Sequence, residues 1–288
     1  MKARIISVIF FIITLLSFSA CSLSNKSDST FSIHFIDVGQ GDAALVECDG
    51  HYMLIDGGDT SAGDKVYSVL EENKIQHLDI LVLSHLHKDH IGGLAKALTY
   101  ATKIDKTISN SDYVDKEFFK EVEHELGING SIITVPKVGE VFKLGSAEIE
   151  VIDVASNSEN DSLVLMITYK KTKFLFTGDI EDEAQRRISD KYMNENDEAY
   201  KIDLIKMPHH GSSSPKSISG TGSLYRFIRT FMPKYAVISV GQDNTYGHPH
   251  RETLDLLDDA DIEVYRTDQK GDICVKSDGE SLIIETSK

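Results

Sequence analysis

Residues 85 to 90 read His-Leu-His-Lys-Asp-His, three imidazoles and one carboxylate within six positions. Neutral imidazole and carboxylate are ligands that zinc, manganese and iron accept. On extended backbone His85 and His87 point the same way, because side chains alternate with period two. A turn after them lets Asp89 and His90 face the same space. Two such pairs side by side predict two divalent metal ions, with zinc the expected ion and manganese the alternative. A polar loop without metal is the bland alternative. It suits a lone histidine better than three histidines behind a hydrophobic strand.

The elements on either side fit that task. Leu78-Asp79-Ile80-Leu81-Val82-Leu83 is apolar and β-branched and reads as a buried strand. Gly92-Gly93 follows the cluster, and a helical pattern starts at Leu94. Other polar groups sit at the ends of apolar runs: Asp56-Gly57-Gly58, Thr177-Gly178-Asp179, His209-His210-Gly211 and Tyr246-Gly247-His248-Pro249-His250. Seven of the eleven histidines fall in these places and the 85–90 cluster, which scattered surface histidines would not do. The other four, His34, His51, His77 and His124, read as ordinary strand-face or surface residues.

The 288 residues are 41% hydrophobic and 26% charged, enough for a sizeable core. Strands are predicted at 31–37, 42–48, 52–56, 78–84, 103–108, 132–135, 147–154, 162–169, 173–177, 201–207, 235–240, 262–266, 272–276 and 281–285. Helices are predicted at 63–73, 93–101, 116–126, 180–193, 223–231 and 251–259. Asp49-Gly50 marks a tight hairpin. No solenoid-length repeat and no long linker divides the body, which reads as one domain over 31–288 with mixed sheets covered by helices. A formal net charge of −16 disfavours tight non-specific binding to nucleic acid or anionic membrane. It leaves room for a local cationic site, which two divalent ions would create.

Residues 1–20 read as a targeting segment: Lys2 and Arg4, an apolar stretch from Ile5 to Phe18, then Ser19-Ala20 before Cys21. Phe18-Ser19-Ala20-Cys21 resembles a bacterial lipobox, which implies a lipid anchor on Cys21. An ordinary signal peptide or an uncleaved anchor is the alternative. Residues 22–30 read as a flexible Ser-rich tether. Each version places the body outside the cytoplasmic membrane, either as a lipoprotein or secreted. Cys48 and Cys274 read as buried small hydrophobes rather than a disulfide framework, although export would permit a bridge.

The order LIDGG, HLHKDHIGG, FTGD and MPHHGSS resembles the metallo-β-lactamase superfamily. HFIDVGQGDAALV at 34–46, NDSLVL at 160–165, HHGSSS at 209–214 and SVGQDNTYGHPH at 239–250 resemble the hydrolase domain of ComEC-type DNA-internalisation competence proteins and their free-standing relatives. The resemblance covers nearly all of 31–285. It implies an α/β (α+β) fold, a four-layer αββα sandwich with two metals at one edge. By it, His85 and His87 hold one metal, Asp89 and His90 the other, and Asp179 bridges them. Asp56 steadies a ligand imidazole, and Asp42 belongs to the same surroundings. Many members carry a middle histidine between the cluster and the bridging aspartate. Here Asn160 takes that position, so His209 or His210 would complete the first site and His248 the second. His250 falls to a supporting or substrate-contacting role.

The implied function is metal-dependent hydrolysis of phosphodiesters, in nucleic acid or cell-envelope phosphate esters. Asp89, His209 and His210 are the residues expected to act in catalysis. One of the two histidines would protonate the leaving group, and Ser212 and Tyr246 would hold phosphate oxygens. A lactone- or thioester-type hydrolase on the same fold is one alternative. A non-catalytic envelope-binding lipoprotein is the other.

Overall fold

The computed structural model describes residues 30–154, 161–193, 200–213 and 222–288. The expected leader, lipobox and tether up to residue 29, and Asn160, lie outside the described residues. Six strands come first: β1 (Phe31–Phe35), β2 (Ala44–Cys48), β3 (His51–Ile55), β4 (His77–Leu83), β5 (Lys103–Ser109) and β6 (Ile133–Thr134). Seven follow: β7 (Val141–Leu144), β8 (Ala147–Val154), β9 (Leu163–Tyr169), β10 (Thr172–Phe176), β11 (Leu204–Lys206), β12 (Tyr235–Ile238) and β13 (Glu263–Arg266). Then β14 (Ile273–Ser277) and β15 (Leu282–Thr286) return to the first sheet, whose order is β15-β14-β1-β2-β3-β4-β5-β6. The second sheet runs β13-β12-β11-β10-β9-β8-β7.

Each sheet has an antiparallel half and a parallel half. Strands β3 to β6 are parallel in one, and β10 to β13 in the other. Helices α1 (Gly63–Glu72), α2 (Lys88–Ile91), α3 (Leu94–Ala97) and α4 (Glu117–Ile128) follow strands of the first sheet. Helices α5 (Asp182–Tyr192), α6 (Ser223–Phe231), α7 (Arg251–Asp259) and α8 (Thr267–Lys270) follow strands of the second.

Alternation along β4 shows how the layers arise. From Ile80 on, Ile80 and Val82 enter the core between the sheets, while Leu81 and Leu83 enter the core under the helices. Between the sheets Phe31 stacks on Tyr169 and Phe174 with ring centres 5.0 and 4.9 Å away. On the far face, α6 buries Leu224, Phe227, Ile228 and Phe231, the spacing of one helix side. Phe227→Ala would cost about 3–5 kcal/mol. The result is the expected helix–sheet–sheet–helix sandwich.

Asp49 and Gly50 take φ of 56° and 82°, as a two-residue hairpin turn between β2 and β3 demands. Other boundaries shift. The helix anticipated over 93–101 is a single turn at Leu94–Ala97, and a separate turn, α2, starts inside the histidine cluster. Strand β11 stops at Lys206 because Pro208 has no N–H to donate and the chain then turns left-handed. Cys48 is buried and free, so it does not bridge to Cys274. Among the described residues no helix is long and apolar enough to cross a membrane.

Candidate metal centre

The parallel halves of both sheets release their chains at the same edge, the usual place for a site in open α/β sheets. Asp56 follows β3 and His85 follows β4. Asp179 follows β10, His209 and His210 follow β11, and the loop carrying His248 and His250 follows β12. His87 caps α2 in extended conformation, and the turn of α2 carries Asp89 and His90. Residues 120 positions apart in sequence therefore meet.

Asp89, His90, Asp179 and His210 offer ligand atoms that all lie within 4.8 Å of one another. His90 Nε2 is 3.2 Å from Asp179 Oδ2, and His210 Nε2 is 3.3 Å from Asp89 Oδ2 and 3.7 Å from Asp179 Oδ2. His85 Nε2 is 3.9 Å from Asp179 Oδ2, and its ring lies 4.1 Å from that of His90 and 4.5 Å from that of His87. His85 Nε2, His90 Nε2 and Asp179 Oδ1 are buried and make no hydrogen bond. Buried polar atoms are almost always paired. Unpaired nitrogen and oxygen atoms converging on one point fit a divalent metal.

The opposite ring nitrogens are fixed by other partners. His90 Nδ1 meets Asp56 Oδ2 at 2.9 Å, and Asp56 in turn accepts from Ser84 N and Ser84 Oγ at 2.8 and 2.6 Å. His210 donates from Nδ1 to the Ser239 carbonyl at 2.9 Å. Ser162 Oγ lies 3.3 Å from His85 Nδ1 and accepts from the Asp179 N–H at 2.9 Å. Such partners set the tautomer that turns Nε2 toward a metal. Asp42 is buried, paired with Lys206, and 3.3 Å from His210 Nδ1.

Without metal, protons balance this cluster. Burial alone would lower the pKa of His210, but Asp179 and Asp42 outweigh it and raise it to about 9. His90 is likewise held well above its usual value, against burial, by Asp179, Asp42 and Asp56. Burial opposes ionisation of Asp179, yet His90 and His210 keep it well below the usual carboxylate range. Burial, then His90, pushes His85 well down. Metal entering the site would replace these protons.

A more open rim surrounds the cluster. His209 Nε2 is 3.9 Å from Asp179 Oδ2, and its Nδ1 is 3.3 Å from Glu181 Oε1. His209 and His210 both have left-handed backbone, φ 48° and 53°. Non-glycine residues seldom adopt that conformation, and it clusters at functional sites. His248 stands 5.5 Å from the His209 ring, and burial followed by the neighbouring histidines lowers its pKa to about 4. His250 is fully engaged: Nδ1 accepts from Ser213 N at 2.9 Å, and Nε2 lies 3.4 Å from the Tyr246 carbonyl. The Tyr246 ring is exposed and stacks on His248 at 5.6 Å. Ser212 follows the turn, half-buried.

Of the two adjacent histidines, His210 stands in the compact group and His209 at its edge. His248, expected to complete the second site, lies outside the compact group. Ser84, Ser162, Ser239 and Lys206 were not singled out in the sequence. Serines give no signal there, but a lysine inside the apolar run Leu204-Ile205-Lys206-Met207 does.

Residues 36–217 match the model of the metallo-beta-lactamase superfamily. The chain is 32% identical over 264 residues to ComE operon protein 3 of Bacillus subtilis, covering 84% of this chain and 32% of that protein. It is 26% identical over 286 residues to Recombination protein 2 of Haemophilus influenzae, covering 96% of this chain and 32% of that protein. The chain thus spans about a third of the length of these relatives. Among solved structures, the metallo-beta-lactamase fold protein YhfI of Bacillus subtilis superposes with a TM-score of 0.56 at 13% identity, covering 86% of this chain and all of that one. The match takes in the histidine cluster, Asp179 and the His209–His210 turn, and this chain belongs to the metallo-beta-lactamase superfamily.

Proposed function

We propose that this chain is a two-metal hydrolase of phosphodiesters, held by lipid on Cys21 at the outer face of the cytoplasmic membrane. The observation that carries the reading is the group Asp89–His90–Asp179–His210 with unpartnered His85 Nε2 beside it. His85, His87, Asp89, His90, Asp179 and His210 would hold the ions. Bound divalent ions supply Lewis acidity and lower the pKa of water. The chain's own side chains do the rest. His209, a quarter exposed at the edge of the cluster, is placed to deliver a proton to a leaving oxygen. His248, neutral at pH 7, offers a lone pair at the rim. Ser212 and Tyr246 would hold phosphate oxygens.

The competence and recombination names of the relatives agree with a phosphodiester substrate. The net charge of −16 favours a small or decorated phosphodiester over long nucleic acid. The test is hydrolysis of bis(p-nitrophenyl) phosphate by the mature body, with and without chelator, beside phosphomonoesters, lactones, nucleic acid and phosphorylcholine esters. Metal-dependent phosphodiester cleavage is the expected result. Ready cleavage of lactones or thioesters with no phosphate ester touched would replace this reading with the other hydrolase class. Cys21→Ala should release the protein from the membrane or leave it unprocessed. Unchanged lipid labelling of that variant would refute the anchor.

A further inference from the structure

We propose that Lys206 is a built-in cation behind the metal centre, a positioning residue that neutralises Asp42 and so keeps the His210 and His90 imidazoles aimed at metal. Among the described residues it is the only buried lysine or arginine, 3% exposed at the end of a strand otherwise made of Leu204 and Ile205. The ammonium pairs with Asp42 Oδ2. A buried ion pair seldom stabilises a fold more than apolar residues of the same volume would. Stability alone therefore does not account for a lysine here.

Its partner is tied to the centre by backbone. Asp42 N donates to the Asp89 carbonyl at 3.1 Å, and Gly58 N donates to the Asp42 carbonyl at 2.8 Å. Gly41, at φ +140°, leaves no room for a side chain: a Cβ there would lie 2.2 Å from the Asp89 oxygen. So fixed, Asp42 stands 3.3 Å from His210 Nδ1 and 3.7 Å from His90 Nδ1. Both nitrogens have closer acceptors, the Ser239 carbonyl and Asp56 Oδ2, each at 2.9 Å. An unneutralised Asp42 would compete for both protons and turn both rings. Asp42, Asp56 and His90 are also close enough to hold a cation themselves. The lysine supplies that charge covalently, so a mobile ion is not drawn behind the ligands.

This inference rests on the reading of the site as a metal centre. The test compares wild type, Lys206→Met and the double variant Asp42→Asn/Lys206→Met. Zinc affinity is measured by competition with a chromophoric chelator, the ligand field by cobalt absorption, and the melting of metal-free protein by circular dichroism. Lys206→Met should bind zinc about 10- to 100-fold more weakly, the usual cost of losing a group behind a ligand. The double variant leaves no carboxylate to compete, so it should recover melting, zinc affinity and the wild-type cobalt spectrum. Wild-type affinity and spectrum in folded Lys206→Met, or a double variant that binds zinc as weakly as Lys206→Met, would make the pair structural only and overturn the inference. Should Lys206→Met not fold, Lys206→Gln, which fills the place without the charge, should show the weakening, and wild-type affinity there would overturn the inference equally. Wild type that takes up no zinc would instead refute the metal reading, and this inference with it.

Discussion

Strand β4 carries a histidine–aspartate cluster at each end. At its start, His77, Asp79 and Asp105 are close enough to hold a cation, and His51 joins them. At its finish stands the group built on His85, Asp89, His90, Asp179 and His210. Residue types and spacing are alike, but the state of the atoms differs. At the first end His77 Nε2 meets Asp105 at 2.8 Å and His51 Nδ1 meets Asp79 at 2.7 Å. Lys103 Nζ lies 2.8 Å from Asp105 and 3.2 Å from His77. The groups are exposed or half-buried and answered by each other and by a lysine. At the second end the Nε2 atoms of His85 and His90 are buried and unanswered. What separates a metal site from a patch of surface ion pairs is which atoms the fold leaves without partners. Exposed pairs of the first kind add roughly 0–1 kcal/mol each.

The largest effect should come from Asp179→Asn. It removes the central charge but keeps the shape, and metal-dependent phosphodiesterase activity should fall at least ~10²- to 10³-fold while circular dichroism stays native. A folded variant with intact activity would contradict the two-metal reading. His210→Ala should follow, with loss of metal by elemental analysis, and His209→Ala should retain metal but lose turnover. Equal metal loss in both would blur the distinction between cluster and edge.

The pH dependence sharpens the comparison. The His210 pKa is about 9 in the folded, metal-free chain, above the ~6.5 of an unfolded histidine. Its protonated form therefore contributes stability that is full below about pH 6.5 and lost as pH rises through about 9. Metal-free melting temperature should fall across that window while zinc affinity rises, since zinc displaces the proton. Titrations of both quantities that run in parallel would contradict this. His250→Ala should cost less than tenfold in kcat/KM, under about 1.4 kcal/mol, because its nitrogens serve the loop and not the cluster. His77→Ala should change stability by no more than about 0.5 kcal/mol and activity not at all.

Much of this was legible in the chain. Ala147–Val154, Ser223–Phe231 and Arg251–Asp259 have the bounds their periodicity predicts, because strong alternation or a clean apolar stripe leaves little choice. Strand β7 was not foreseen, since four edge residues with Val141 exposed carry too short a pattern. The turn carrying Asp89 and His90 was expected, but not its form as the helical turn α2. His85–His90 and Asp179 stood out because their types are rare together. Which of His209 and His210 enters the compact group depended on two left-handed residues, which sequence does not encode locally. Lys206 carries a signal as a lysine in an apolar run, but its pairing was hidden because Asp42 lies 164 positions away.

Metal stoichiometry tests the central claim most directly. Wild type, His77→Ala/Asp105→Asn and His90→Ala would be reconstituted with zinc or manganese, desalted and assayed for bound metal by elemental analysis. The account predicts about two ions per chain in the first two and a marked loss in the third. No more than trace metal in wild type, or loss of metal in the His77→Ala/Asp105→Asn variant with His90→Ala unaffected, would contradict it.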